Sequence, residues 1–245
     1  MEVRYDDFWI NGVSARSKGI TTVDPLQPPP MASRRYSDYQ VGSDTDLIVS
    51  DDGFDDIRYS ITVRVIGKPE SLDNAALYAF LAGAQMLRIS RLPLYEFRIR
   101  KVSGISPQSR NKGNEMIYTV TFELSPWKYV AFEPAITVSE SGTNVRCEGT
   151  RFCKPLYTIA LSSPTGTGAF SVNGQQVTIV LPNAIGQNTL FVDSEKQIAY
   201  DGGNNPQMLT QVTSGIFPWM SVGNNAVTFG GIISSIQVTR RQRCY

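Results

Sequence analysis

The stretch IRYSITVRVI, residues 57–66, alternates Ile57, Tyr59, Ile61, Val63 and Val65 with Arg58, Ser60, Thr62 and Arg64. A strand sends successive side chains to opposite faces, so this period of two buries one face and hydrates the other. The buried set is β-branched or aromatic, which suits a pleated surface. Two downstream stretches repeat the pattern. Residues 94–102 set Tyr95, Phe97 and Ile99 against Glu96, Arg98 and Arg100, and residues 117–124 place Tyr118, Val120, Phe122 and Leu124 on one face. The segment between them, 103–115, is polar and contains Gly and Pro, so it reads as a long hairpin loop.

Upstream, Phe8-Trp9-Ile10 is a short strand stopped by Asn11-Gly12, a dipeptide that tolerates positive φ at both positions. A second apolar piece covers residues 20–23. Residues 24–56 read as a long connection with Pro28-Pro29-Pro30 and an acidic, Gly-punctuated tract from 42 to 56. Within it Tyr36, Tyr39, Val41 and Leu47-Ile48-Val49 suggest an extended hairpin. One helix is expected after Pro69, with Ser71 as N-cap and Asp73 in the first turn. Its apolar face holds Leu72, Ala76, Ala79 and Phe80, and Gly83 is its stop.

The pattern shifts near Ser125-Pro126-Trp127. Beyond Pro134, short strands are expected at 135–138, 156–161, 169–172, 176–181, 189–192, 226–229 and 232–239. Turn signals lie between them at Asn173-Gly174, Pro182-Asn183, Gly202-Gly203-Asn204-Asn205 and Gly223-Asn224-Asn225. Strands at such spacing imply an antiparallel sandwich. The expected fold is mainly β in two domains, 1–135 with one short helix and 136–245 as a β-sandwich.

Composition narrows the function. The chain of 245 residues carries 23 basic against 22 acidic side chains, a net charge of +1. This is no footprint for nucleic acid or an anionic membrane. No apolar run approaches the ~18 residues a membrane helix needs, and the start, MEVRYDDFWING, lacks the apolar core of a signal peptide. Folding in a cytoplasm is the expectation. There is no histidine. Ser-His-Asp and Cys-His catalysis and histidine-containing metal sites are thereby excluded, while carboxylate chemistry is not. The three cysteines, Cys147, Cys153 and Cys244, are odd in number and lack CxxC spacing. They read as reduced thiols.

Each remaining candidate has a structural reading beside its chemical one. Asp44, Asp46, Asp51, Asp52, Asp55 and Asp56 lack the remaining calcium-loop pattern and read as a solvated loop. Asp193 and Glu195 sit at a strand end and read as a turn rather than a glycosidase pair. Residues 162–168, SSPTGTG, lack the lysine and helix of a phosphate loop and read as a connection. Tyr200, Phe217 and Trp219 offer rings for a sugar, against a packed corner at Phe217-Pro218-Trp219. Arg98 and Arg100 share a polar strand face that either lines an interface or meets solvent. Arg240-Arg241 reads as a solvated strand end. No catalytic, cofactor-binding or metal-ligating residue is assigned, and no enzymatic activity is expected.

The order of motifs in the second half resembles a known family. It runs Lys154-Pro155-Leu156-Tyr157-Thr158-Ile159, Phe170-Ser171-Val172-Asn173-Gly174, Leu190-Phe191-Val192-Asp193-Ser194-Glu195 and Ile198-Ala199-Tyr200. It continues through Gly215-Ile216-Phe217-Pro218-Trp219-Met220 and Val222-Gly223-Asn224-Asn225 to a strand ending Thr239-Arg240-Arg241. This is similar to the distal tail proteins of long-tailed, non-contractile bacteriophages. Trp9-Ile10-Asn11-Gly12-Val13 looks like the family's opening strand and turn, and residues 122–129 like the end of its first domain. The resemblance implies a virion protein of the tail tip, assembled in the bacterial cytoplasm into a homohexameric ring. It implies an N-terminal ring-building β domain and an outward galectin-like or carbohydrate-module-like sandwich. The implied partners are further copies of the chain, the tail tube protein, the tail-tip hub or tail-associated protein, and receptor-binding proteins. It implies no cofactor, no sequence-specific nucleic acid and no membrane insertion. Residues 24–56 and 103–115 are the expected arms toward neighbours. A carbohydrate-binding module or adhesin, a carboxylate hydrolase, and another tube or baseplate component are the alternatives.

Overall fold

A computed structural model describes residues 6–38, 48–66, 75–110, 115–181, 188–201 and 216–244. The chain divides into two compact units, one ending at Ala131 and one spanning Phe132–Cys244, each with its own apolar core. The architecture is mainly β and antiparallel, and includes a curled half-barrel.

The first unit contains β1 (Phe8–Ile10), β2 (Val13–Ser14), β3 (Ile20–Thr22), β4 (Arg34–Asp38), β5 (Ile48–Phe54), β6 (Ile57–Ile66), α1 (Ala75–Leu81), β7 (Met86–Ile89), β8 (Tyr95–Arg110) and β9 (Glu115–Val130). Its main sheet runs β2-β1-β7-β8-β9-β6-β3, and β4 pairs with β5 apart from it. The strand read at 57–66 is β6, and its alternation lands as expected. Ile57, Tyr59, Ile61 and Val63 are buried and face the same side as Tyr118, Val120, Phe122 and Leu124 of β9. Each such side chain, withdrawn from water, contributes roughly 1.5–3 kcal/mol.

Asn11 and Gly12 take φ of 51° and 81° and close the β1–β2 hairpin. The Asn11 side chain does more than turn the chain. Its Oδ1 accepts from the amides of Gln85 (2.9 Å) and Met86 (3.0 Å), and its Nδ2 donates to the Gly83 carbonyl at 2.9 Å. The turn thereby fastens the segment leaving α1 to the start of β7.

Three expectations are corrected. Residues 103–110 are strand and not loop: β8 and β9 form a hairpin of two 16-residue strands, paired out to Arg110–Met116. Polarity and Gly/Pro content mislead there because β8 is repeatedly bulged. Arg100, Ser103 and Gln108 are extra residues opposite β9, which bends the strand and breaks the alternation. The Ser125-Pro126-Trp127 break is the converse bulge within β9, with three residues opposite Arg98, and the strand continues to Val130. In α1 the buried residues are Leu77 and Leu81, with Phe80 partly covered, while Ala76 and Ala79 are exposed. The larger side chains at i and i+4 claim the core face. Pro69, Ser71, Leu72 and Asp73 lie outside the described residues.

The second unit contains β10 (Ile136–Val138), β11 (Thr143–Cys147), β12 (Leu156–Leu161), β13 (Gly166–Val172), β14 (Gln175–Leu181), β15 (Thr189–Asp193), β16 (Ile198–Asp201), β17 (Gly223–Gly231) and β18 (Ile233–Thr239). They form a five-stranded sheet β10-β18-β12-β15-β16 and a four-stranded sheet β11-β17-β13-β14. One core takes side chains from both, including Tyr157, Ile159, Leu190, Val192 and Ile236 from the first and Val145, Phe170, Val172, Val177 and Val227 from the second. This is the expected sandwich. Asn173-Gly174, at φ 50° and 81°, makes the β13–β14 turn. Gly223-Asn224-Asn225 is not a turn but the start of β17. Pro182-Asn183 and the Gly202–Asn205 run lie outside the described residues.

Candidate assembly surfaces and the ionic latch

Among the described residues, the polar chemistry gathers at strand ends and edges. In the first unit β7 pairs with β8 only around Phe97 and Arg98. Among the described residues, no strand pairs with the outer edge of β8 from Lys101 to Arg110. An edge of that length carries donors and acceptors that a further strand can take up. Its bulges, Gly104 and Pro107 restrict which strand can do so.

The first unit also holds an apolar cavity of about 260 Å³. The proline run Pro28-Pro29-Pro30 forms one wall, and Phe54, Phe97 and Pro126 lie across from it, with Lys128 as its one charged lining residue. The run is thus a strap across the sheet and not a free connection. It is anchored upstream where Leu26 N–H donates to Asp6 Oδ2 at 2.7 Å and the buried Tyr59 hydroxyl donates to the Gln27 carbonyl at 2.7 Å. Burial, with the Asp6 charge nearby, pushes the Tyr59 phenol up to about 12. Trp127 packs edge-on against Phe54 at 4.9 Å.

Among the described residues, the acids of the acidic tract have separate partners. Asp55 accepts from the Ser33 hydroxyl at 3.1 Å, and Asp56 pairs with Arg100 at 3.8 Å. Asp44 and Asp46, and the side chains of Asp51 and Asp52, lie outside the described residues. Arg98 lies over the Tyr129 ring at 5.1 Å, so it and Arg100 do not form one plain polar face. No group of three or more His, Cys, Asp or Glu able to hold a metal occurs among the described residues. Nor, among them, is any helix long and apolar enough to cross a membrane.

In the second unit the structure overturns the reading of Arg240-Arg241. These arginines are not solvated. Arg240 pairs with Glu133 at 2.6 Å, their side chains 11% and 5% exposed. Arg241 holds both oxygens of the buried Asp193, at 2.7 and 3.0 Å, and Arg243 reaches Glu195 at 2.8 Å. Gln242 donates to Glu133 from its backbone (3.0 Å) and its side chain (2.6 Å). Arg240 and Gln242 both meet Glu133, and Arg241 and Arg243 both meet Glu195, with Arg241 at a φ of 53°. Three guanidiniums thereby meet three carboxylates. Burial would raise the Asp193 carboxyl, but the Arg241 guanidinium and the amides of Lys196 and Glu195 outweigh it and hold the group below its usual range. Asp193 and Glu195 are therefore the acidic half of a latch. Their partners lie 46 to 48 residues away, too distant for any spacing to signal them.

The Phe217-Pro218-Trp219 corner is packed through its proline. The Pro218 carbonyl accepts from Ser194 Oγ (2.6 Å) and from the buried Tyr157 hydroxyl (3.2 Å). Tyr200 stacks on Phe191 at 5.0 Å, while Trp219, 41% exposed, meets Phe152 edge-on at 5.6 Å. The two candidate sugar platforms thus rest on different rings. Of residues 162–168, read as a connection, 162–165 do connect β12 and β13, whereas Gly166, Thr167 and Gly168 already belong to β13.

Cys147 and Cys153 are also together, a juxtaposition that their spacing of six does not announce. Both are buried, and their sulfurs share a hydrogen bond at 3.4 Å. That bond lowers the Cys147 thiol and, together with burial, raises that of Cys153.

No family model matches the sequence, and no curated protein matches it. Among solved structures the fold is similar to that of the SPP1 Dit protein, described as a paradigm of the hub adsorption apparatus in phages infecting Gram-positive bacteria. The two share 12% identity with a TM-score of 0.60, over 96% of this chain and 98% of that one. A likeness at this identity establishes a common fold across both units.

Proposed function

We propose that this chain is a structural virion protein, a distal tail protein at the tip of a long-tailed phage. The carrying observation is that the fold matches the Dit protein from end to end, both units included and with almost nothing left over on either side. In this reading residues 1–135 build a ring, a homohexamer, and residues 136–245 form a galectin-like sandwich on its outside. The ring joins the tail tube protein to the tail-tip hub and to receptor-binding proteins, and is assembled in the host cytoplasm. Its work is packing, so it calls for edges and surfaces and not for catalytic groups.

A ring closes when one surface patch meets a different patch on the next copy and the rotation repeats. The outer edge of β8 is a candidate for one of these two patches. Immunogold labelling of intact particles tests the assignment. Label at the free end of the tail is expected, and label along the tube or on the head would contradict it.

A further inference from the structure

We propose that Cys147 and Cys153 are an oxidative cross-linking site, which a small two-electron oxidant such as hydrogen peroxide converts to an intramolecular disulfide. The geometry is close to that product. The sulfurs stand 3.4 Å apart, and a disulfide brings them to about 2.05 Å. The backbone holds both ends. Cys147 closes β11 against Gly223 of β17, and Cys153 exchanges two backbone hydrogen bonds with Met220, at 2.9 and 3.0 Å. The five residues between them carry the C-terminal tail. Glu148 N–H donates to Gln242 Oε1 at 2.8 Å and Thr150 N–H to the Arg243 carbonyl at 3.0 Å. Gly149 lies so close that an added Cβ would stand 2.5 Å from that same carbonyl oxygen. A cross-link at this point fixes the loop on which the latch rests.

The chemistry balances in two steps. The Cys147 thiolate attacks one peroxide oxygen, the O–O bond breaks, and the departing hydroxide takes up a proton to leave as water, giving a sulfenic acid. The sulfur of Cys153, having given up its proton, attacks Cys147 Sγ and expels the sulfenic oxygen as a second water. Two thiols are oxidised and one peroxide is reduced to two waters. Cys147 is the attacking sulfur because its contact with Cys153 holds its thiol below the ordinary range. Both sulfurs are buried, so an oxidant of water's size reaches them more readily than a bulky disulfide reagent, and the finished bond is shielded from reduction. The pair would stay reduced in a cytoplasm and close once the particle meets an oxidising exterior. That timing rests on the tail-tip reading, but the chemistry does not.

The test uses the full chain, purified reduced and exposed to hydrogen peroxide. Trypsin cuts after Arg151, between the two cysteines, so only a disulfide keeps their peptides together. Linked peptides are expected, with Cys244 still open to alkylation after unfolding and the Tm raised by roughly 5 °C. Dithiothreitol should separate the linked peptides once the chain is unfolded and digested, and Cys153→Ser should abolish both link and rise while remaining folded. Unlinked peptides that alkylate after peroxide, or sulfinic acid at Cys147 in place of the link, would overturn the proposal. Linked peptides from a chain that stays monomeric would leave this site standing and remove the ring. Unlinked peptides from a hexamer would do the reverse.

Discussion

Asp193 shows how much one side chain can hold. It is 1% exposed, accepts both guanidinium nitrogens of Arg241, and takes two backbone amides of the turn that follows it. Removing one partner of such a buried pair strands the other, at a cost of about 3 kcal/mol or more. Asp193→Asn should therefore lower the Tm of the second unit markedly. It should also change the response to acid. The folded carboxyl lies below its unfolded value of about 4, so its contribution is complete above that pH and fades as pH falls through the folded value. Thermal scans between pH 7 and pH 2.5 should show a steeper acid loss in the parent than in the variant. Equal slopes would mean that the pair carries no linked proton. Asn225, buried on β17, is the neutral counterpart. Its side chain accepts from Ser221 N–H (2.8 Å) and Asn173 Nδ2 (2.7 Å) and donates to the carbonyls of Ser221 and Gly223, both at 2.9 Å. A polar group so fully partnered specifies the register of its strand without penalty.

Elements of this protein are defined as much by where strands yield as by where they run. At Gly231, with φ of 71°, a Cβ would strike the Thr167 carbonyl and the Gly168 backbone where β17 turns into β18. Gly230 has open space and no such φ. Gly231→Ala should cost ~2 kcal/mol or more, and Gly230→Ala should stay within about 0.5 kcal/mol, read from urea midpoints at constant slope. Equal effects would show that the close approach does not constrain the turn. β6 was legible because it is regular and covered on one face only, so alternation alone locates it. β8 was half legible, since each bulge shifts the phase and a bulged strand looks like a polar loop. β7, β11 and β16 were missed. β11, TNVRC, holds only Val145 and Cys147 as inward side chains, too few to distinguish from a turn. In α1 the helix itself was legible but its face was not, because small residues and large ones share similar spacings and only packing decides between them.

At the scale of the molecule, the antiparallel sandwich and the class of the fold follow from strand spacing and turn chemistry, which are local. The latch and the proline strap depend on residues brought together from distant parts of the chain, and a single sequence carries no signal for those meetings. Arg240-Arg241 is the clearest case, since a strand end with two charges reads as solvated until Glu133 and Asp193 are placed against it. The fold places two units in sequence, each with its own core, and among the described residues leaves a long bulged edge on the first. A monomer with that edge open is prone to pair with whatever strand it meets, whereas a closed ring satisfies every edge in the same way. The central claim is therefore one of stoichiometry, and native mass spectrometry of the purified full chain at micromolar concentration tests it most directly. Six times the chain mass of 27.1 kDa gives about 163 kDa, and a dominant species at that mass is the predicted result. A species that remains at 27.1 kDa as the concentration is raised tenfold would contradict the ring.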